Sequence, residues 1–383
     1  MTASAVKCGP HQEPRFRLAT VSMALAAIVA SCGGGDTSNT TSTDSPAPSV
    51  TTATSDDGTT STSSRGGPTT SVTMPDGDIA LISDQPVADE ANYNGAGAVA
   101  QVDDGYVMFV NEYLRWPPNV EVHMFRSLDG IDWVSEQSGP LIDFAETGAP
   151  AASIVSSVIQ EDDGSWTLFF YSYEGALAST AVSVGRATAP APEGPWTIDP
   201  DPVLTSGDGW DAGTISTPTV LRTDGGYVMF YTGGTGDGVT AMGRADSDDG
   251  ITWQRHGEPV FTGTDDGNSW DGLRVSQPNL LATSGGVVIV YKGNSVGSLG
   301  SQHGLACVES LDPDAKWERV DSDPILDPGV FPGGDMIFST ETIRIDGAAA
   351  IFASVARDPN STSTDVYGLF LPIVDTLESE GTC

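Results

Sequence analysis

The chain has little positive charge: 16 of its 383 residues are Lys or Arg, against 52 Asp or Glu, for a formal net charge of −36. A field of that sign repels polyphosphate, which argues against nucleic acid as a partner, and it suits an exported soluble surface. Cysteine is equally scarce. Of four, only Cys307 and Cys383 lie beyond residue 75, so a small disulfide-stapled scaffold is excluded. These two either pair with each other or stand as a buried thiol and a free terminal one. Long apolar runs are missing as well. The longest, residues 18–30, is too short to cross a bilayer and has the length of a secretory signal core.

That run follows Lys7, Arg15 and Arg17, so residues 1–31 read as an export signal. Val29-Ala30-Ser31-Cys32-Gly33 resembles a bacterial lipobox, which implies cleavage before Cys32, lipidation of its thiol and anchoring at the outer face of the cell membrane. An ordinary signal with a nearby cut site is the alternative. Residues 32–75 are Ser, Thr, Gly, Pro and Asp with almost no large apolar side chain, and such a segment reads as a flexible tether.

Residues 76–383 carry a repeat. A turn glycine recurs at Gly105, Gly164, Gly226, Gly286 and Gly347, at intervals of roughly sixty residues, each followed by an alternating aromatic or β-branched run such as Tyr227-Val228-Met229-Phe230-Tyr231. Trp133, Trp196, Trp253 and Trp317 follow in turn, and then Pro140, Pro202, Pro259 and Pro324, each with an apolar residue behind it. Each unit predicts four short antiparallel strands, and each can bury its two faces only against neighbouring units. The prediction is an all-β, monomeric, five-bladed β-propeller. The fifth unit lacks a fourth strand, and Asp78-Ile79-Ala80-Leu81-Ile82-Ser83 is predicted to supply it and close the ring.

Chemistry in such a ring belongs where the first strands of the blades converge. Asp211, Asp271 and Asp335 precede or open those strands in blades three, four and five, and Glu341 falls near the register of Pro218 and Pro278. Carboxylates gathered at one axial pocket repel, which raises at least one pKa, and a protonated carboxyl beside an ionised one is what glycoside cleavage needs. Asn94, Trp116, Trp210, Trp270, Arg274 and His303 flank the same segments as candidate saccharide contacts, with aromatic faces suited to stacking on sugar rings. Ordinary packing is the alternative for each Trp, and His123 reads as structural. Asp-rich turns such as Thr264-Asp265-Asp266-Gly267-Asn268 offer Ca²⁺ ligand types without a full calcium-loop spacing, so no metal or other cofactor is expected.

The five-fold repeat, the Trp-Asp-x-x-x-[Ile/Val]-Ser-x-Pro pattern of blades three and four, and the turn glycine followed by Tyr-Val-Met-Phe-Tyr-Thr-Gly resemble the five-bladed glycoside hydrolase superfamily, which includes family 43 arabinanases and xylosidases and family 32 fructosidases. The resemblance implies an oligo- or polysaccharide substrate and acid catalysis at the axis. Relatives place an Asp-Pro pair at the start of inner strands. Here Thr217-Pro218, Gln277-Pro278 and Gly95-Ala96-Gly97 hold the corresponding places. Ser127 to Trp133 and Ser247 to Trp253 are similar to the Asp-box turns of sialidases, which are structural. Three functions follow from this reading: an exported glycoside hydrolase, a saccharide-binding propeller without catalysis, and a scaffold for protein partners.

Overall fold

Runs of β-branched and aromatic residues between Gly and Asp turns form five antiparallel sheets. In the computed structural model the described residues are 80–82, 93–114, 119–135, 139–174, 180–264, 266–296, 302–357 and 364–381. The turn glycines do what no other residue does cheaply. All five have positive φ, and at Gly226 a Cβ would also collide with the Ser247 carbonyl of the third strand.

Counting outward from the axis, blade one is Tyr93–Val102, Gly105–Tyr113, Val120–Ser127 and Val134–Ser135. Blade two is Ser153–Gln160, Trp166–Glu174, Thr180–Ala189 and Thr197–Ile198. Blade three is Thr214–Thr223, Gly226–Gly234, Ala241–Ser247 and Gln254–Arg255. Blade four is Arg274–Thr283, Gly286–Asn294, Gln302–Val308 and Glu318–Arg319. Blade five is Met336–Ile345, Ala348–Ala356 and Asp365–Phe370, and its fourth strand is Ala80–Leu81, paired with Phe370 and Leu369. The five inner strands touch in sequence, and the last touches the first, so the ring is closed.

The repeating tryptophans hold neighbouring blades together. Trp196, Trp253 and Trp317 each set their ring edge-to-face against a phenylalanine of the preceding blade, Phe109, Phe169 and Phe230, at 5.8, 5.9 and 5.4 Å between centroids. Trp133 does the same to Phe352 of blade five at 5.4 Å, across the closure. Such pairs add about 0.5–1.5 kcal/mol each beyond the area they bury. The apolar residue after each repeat proline gives the third strand a further partner: Leu141, Val203, Val260 and Ile325 donate their N–H groups to Val122, Val184, Met242 and His303. One α-helix, Pro372–Glu380, follows the last strand, with Asp375 and Glu378 holding Arg344.

The Asp-box-like turns are self-contained. Asp249 Oδ1 accepts from the N–H groups of Ile251 and Thr252, and Trp253 Nε1–H donates to the Gly250 carbonyl. Asp129 and Trp133 repeat the pattern. Cys307 is disulfide-bonded, and Cys383 lies outside the described residues.

Candidate active site

One layer of the inner strands forms the channel wall. Ala98, Ser157, Thr219, Asn279 and Glu341 hold the same register, opposite Phe109, Phe169, Phe230, Val290 and Phe352 of their second strands. The three polar neutral members each tie their blade to the next. Ser157 Oγ accepts from Val220 N–H at 3.1 Å, Thr219 Oγ1 donates to the Pro278 carbonyl, and Asn279 Nδ2 donates to Thr340 Oγ1 at 2.9 Å. The series stops at Glu341, because the next blade presents Gly95-Ala96-Gly97-Ala98, with no polar side chain to receive it. Gly97 is itself required there: a Cβ would strike Asn111, whose amide bridges to the backbone of Val155 in blade two.

Glu341 is thus a carboxyl without a hydrogen-bond partner among the described residues. It is closely surrounded by protein while part of its surface stays open to solvent, as on the wall of a narrow channel. Burial alone pushes its pKa well above the usual carboxylate range. Across the bare strand of blade one it acts on Tyr171 of blade two. That hydroxyl is held protonated first by burial, then by Tyr173 and Tyr113, and finally by the charge of Glu341. Tyr171 and Tyr173 lie 5.7 Å apart between ring centroids. Burial likewise raises Tyr113 and Tyr173, so the three phenols stay neutral hydrogen-bonding groups near the acid.

The four predicted acids differ in their surroundings. Asp211 is buried, and its Oδ2 accepts from Tyr231 Oη at 2.9 Å and from Arg255 Nη1 at 2.6 Å. Asp271 repeats the arrangement with Tyr291 Oη at 3.0 Å and Arg319 Nε at 2.8 Å. Both arginines belong to the fourth, outermost strand of the blade, so these carboxylates are turned into the sheet rather than toward the channel. Asp335 is exposed and directly precedes its inner strand. No hydrogen bond or ion pair joins any two of the four, and the raised pKa of Glu341 comes from burial, not from the expected carboxylate repulsion.

The tryptophans beside Asp211 and Asp271 share this construction. Trp210 stacks on Tyr231 at 6.0 Å and 20°, Trp270 on Tyr291 at 5.4 Å and 25°, and Trp270 Nε1 donates to Ser322 O. Each also lies over strand glycines, Gly233 and Gly243 or Gly293 and Gly304, where a Cβ would hit the indole. One indole face is therefore already covered. His303 is fully buried, paired in register with Lys292 and bridged to Leu326. Arg274 opens the inner strand of blade four and donates to the Gly238 carbonyl. Asn94 sits in the first strand of blade one, opposite the end of its second strand. Trp116 and Cys32 lie outside the described residues.

Lys292, Tyr113, Tyr171, Tyr173 and Gln277 have unusual surroundings that composition and motif did not single out. The Tyr-x-Tyr at the end of blade two's second strand was the available signal. Lys292 Nζ donates to Ile337 O at 3.3 Å, and burial together with the charge of Arg274 brings its pKa down to about 8. Gln277 has φ 52 and Thr217 φ 45, left-handed values for residues that precede proline. Such strain concentrates at functional positions. Gln277 Oε1 is buried without a hydrogen-bond partner. For a metal, Glu112, Glu121 and His123 are the group among the described residues that brings three ligand atoms within 4.8 Å of one another. His123 Nε2 lies 2.9 Å from Glu112 and 3.5 Å from Glu121, two carboxylates directly opposite in the ladder. Asp266 Oδ1 is occupied by Asn268, and Asp265 lies outside the described residues.

No protein-family model and no curated protein matches the sequence. Solved structures do match the fold. A glycoside hydrolase is 17% identical with a TM-score of 0.60, covering 74% of this chain and 88% of its own. A thermostable family-43 glycoside hydrolase is 15% identical with a TM-score of 0.58, covering 73% and 90%. A family 117 glycoside hydrolase produced by the marine bacterium Zobellia galactanivorans is 14% identical with a TM-score of 0.57, covering 76% and 90%. At these identities the likeness is one of architecture: a five-bladed propeller of the glycoside hydrolase type.

Proposed function

We propose that this propeller acts on saccharides at its axial channel, with Glu341 as the acid that protonates the glycosidic oxygen. The observation that carries this reading is the charge state of Glu341. It is the carboxyl among the described residues whose pKa is raised, and a general acid must hold its proton near neutral pH. In the step, the Glu341 proton passes to the bridging oxygen as its bond to the anomeric carbon breaks, water adds its oxygen to that carbon, and the proton the water gives up restores the Glu341 carboxyl. Tyr113, Tyr171 and Tyr173 supply neutral hydrogen bonds to the sugar. The architecture shared with glycoside hydrolases supports the substrate class by analogy.

A second reading, saccharide binding without turnover, is favoured by a specific observation. Two-carboxylate cleavage needs a partner within roughly 5–10 Å. Asp211 and Asp271 are consumed by arginines, and Asp335 lies six residues from Glu341 along a strand, roughly 20 Å at 3.3 Å per residue. Release of reducing ends from arabino-, xylo-, manno- and fructo-oligosaccharides separates the two. Turnover abolished by Glu341→Gln is the expected result, and turnover that survives this change removes Glu341 from the chemistry. Calorimetric binding with no turnover selects the second reading.

We also infer export and lipid anchoring through Cys32, supported by the apolar run 18–30 and the Ser31-Cys32-Gly33 site. Incorporation of labelled fatty acid that is lost in Cys32→Ala tests this.

A further inference from the structure

Positive charge is scarce in this chain, and nearly all of it is spoken for. Every described arginine except Arg274 has a carboxylate oxygen within 4.0 Å. Arg274 uses only its Nε–H, on the carbonyl of Gly238, so the two terminal nitrogens of its guanidinium have no acceptor among the described residues. Lys292 is in a similar position: its ammonium meets the carbonyl of Ile337 and no carboxylate.

The two cations are neighbours by construction. Arg274 and Ser276 alternate onto one face of blade four, and Lys292 stands directly opposite Ser276 in the next strand. Side chains at i and i+2, and cross-strand partners, share a face, which makes Arg274 and Lys292 a diagonal pair within reach of one another. Their mutual repulsion contributes to the lowered pKa of Lys292, after burial. Two half-buried cations set side by side, in a chain with 52 acidic residues that could have paired with them, are poorly explained by stability. Both flank the inner strands, and the carbonyl that Lys292 meets belongs to the strand carrying Glu341, four residues before it. That is roughly 13 Å along the strand, too far to act on the bond that Glu341 protonates.

We propose that Arg274 and Lys292 form a subsite for an anionic substituent of the bound saccharide, a carboxylate or a sulfate ester. The proposal rests on the saccharide reading above and sharpens its substrate class to acidic glycans. A guanidinium fork takes either group in a bidentate fashion, and a neighbouring ammonium adds a point charge.

The test is calorimetric titration of the protein with oligogalacturonate, with sulfated galactan oligosaccharide and with neutral galactan oligosaccharide of matched length, repeated on Arg274→Gln and Lys292→Gln. At least one anionic ligand is expected to bind about tenfold tighter than the neutral one, a preference of the size of one charge-assisted contact. Arg274→Gln should erase that preference, and Arg274→Lys should retain part of it. Arg274 is half-exposed, so Arg274→Gln is expected to keep the fold, which circular dichroism checks. Should Lys292→Gln fail to fold, the Arg274 pair decides alone. Which anionic ligand binds distinguishes carboxylate from sulfate. Equal affinity for neutral and anionic ligands, or a preference that persists in folded Arg274→Gln, overturns the subsite and leaves the saccharide reading standing. Binding of none of the three, with no turnover in the neutral panel above, overturns both.

Discussion

In blades three and four a buried aspartate meets a tyrosine of the second strand and an arginine of the fourth, whereas blade five offers neither. Its second strand has Ala353 where Tyr231 and Tyr291 stand, and its fourth strand is Ala80–Leu81, which carries no charge. Asp335 is accordingly exposed, and Glu341 of that blade has no cation and no hydrogen-bond partner among the described residues. The same functional group therefore serves two ends. Paired with an arginine, it is a strut inside a blade. Without such a partner, its pKa is pushed up by burial.

The sharpest break in that comparison comes from exchanging charges for neutral isosteres in each region. Glu341→Gln is expected to lower turnover by about 10²–10⁴-fold and to leave the fold intact. An acid whose pKa is higher folded than unfolded binds a proton on folding. Its stabilising contribution is therefore complete below the ordinary glutamate pKa of about 4.3 and is lost as pH rises. Thermal melts should show Glu341→Gln gaining on the native protein as pH climbs, and parallel curves would refute the burial of Glu341. Asp211→Ala and Asp271→Ala should destabilise the protein. Each leaves an arginine without its partner and costs about 3–5 kcal/mol in denaturant unfolding. A loss below about 1 kcal/mol would mean that the pairs are not struts.

Lys292 sharpens the contrast from the cationic side. The fall of its pKa from 10.5 to about 8 corresponds to roughly 3 kcal/mol disfavouring the charged form. That cost is present in full below pH 8 and fades as pH rises toward 10.5. Lys292→Met should raise stability at pH 7 by up to about 3 kcal/mol, with the gain shrinking through that window. A constant gain would locate its cause elsewhere. The smallest effect belongs to the strained backbone. Thr217→Asn, which tolerates positive φ and keeps a polar group toward Thr232, should stabilise by about 0.5–1 kcal/mol.

The architecture was legible because it is written locally and five times over. Turn glycines require positive φ, alternating runs make strands, and each repeat tryptophan finds a phenylalanine one blade back. Ring closure was legible for the same reason, since the fifth repeat lacks the piece that the segment around Ala80 resembles. Of the residues now proposed for the site, Glu341 and Arg274 were among the sequence candidates, while Lys292 and the Tyr113, Tyr171 and Tyr173 group looked like ordinary strand residues. Asp211 and Asp271 looked like chemistry because they opened inner strands.

The periodic sequence by itself determined how many blades form, which strands line the channel and how the ends meet, since each of these follows from interactions within a repeat or between adjacent copies. Only the tertiary structure decided which carboxyl meets an arginine and which is left for burial to push its pKa up. That outcome depends on partners far away in the chain, Arg255 for Asp211 and the bare glycine strand of blade one for Glu341, and on how completely folding strips each group of water.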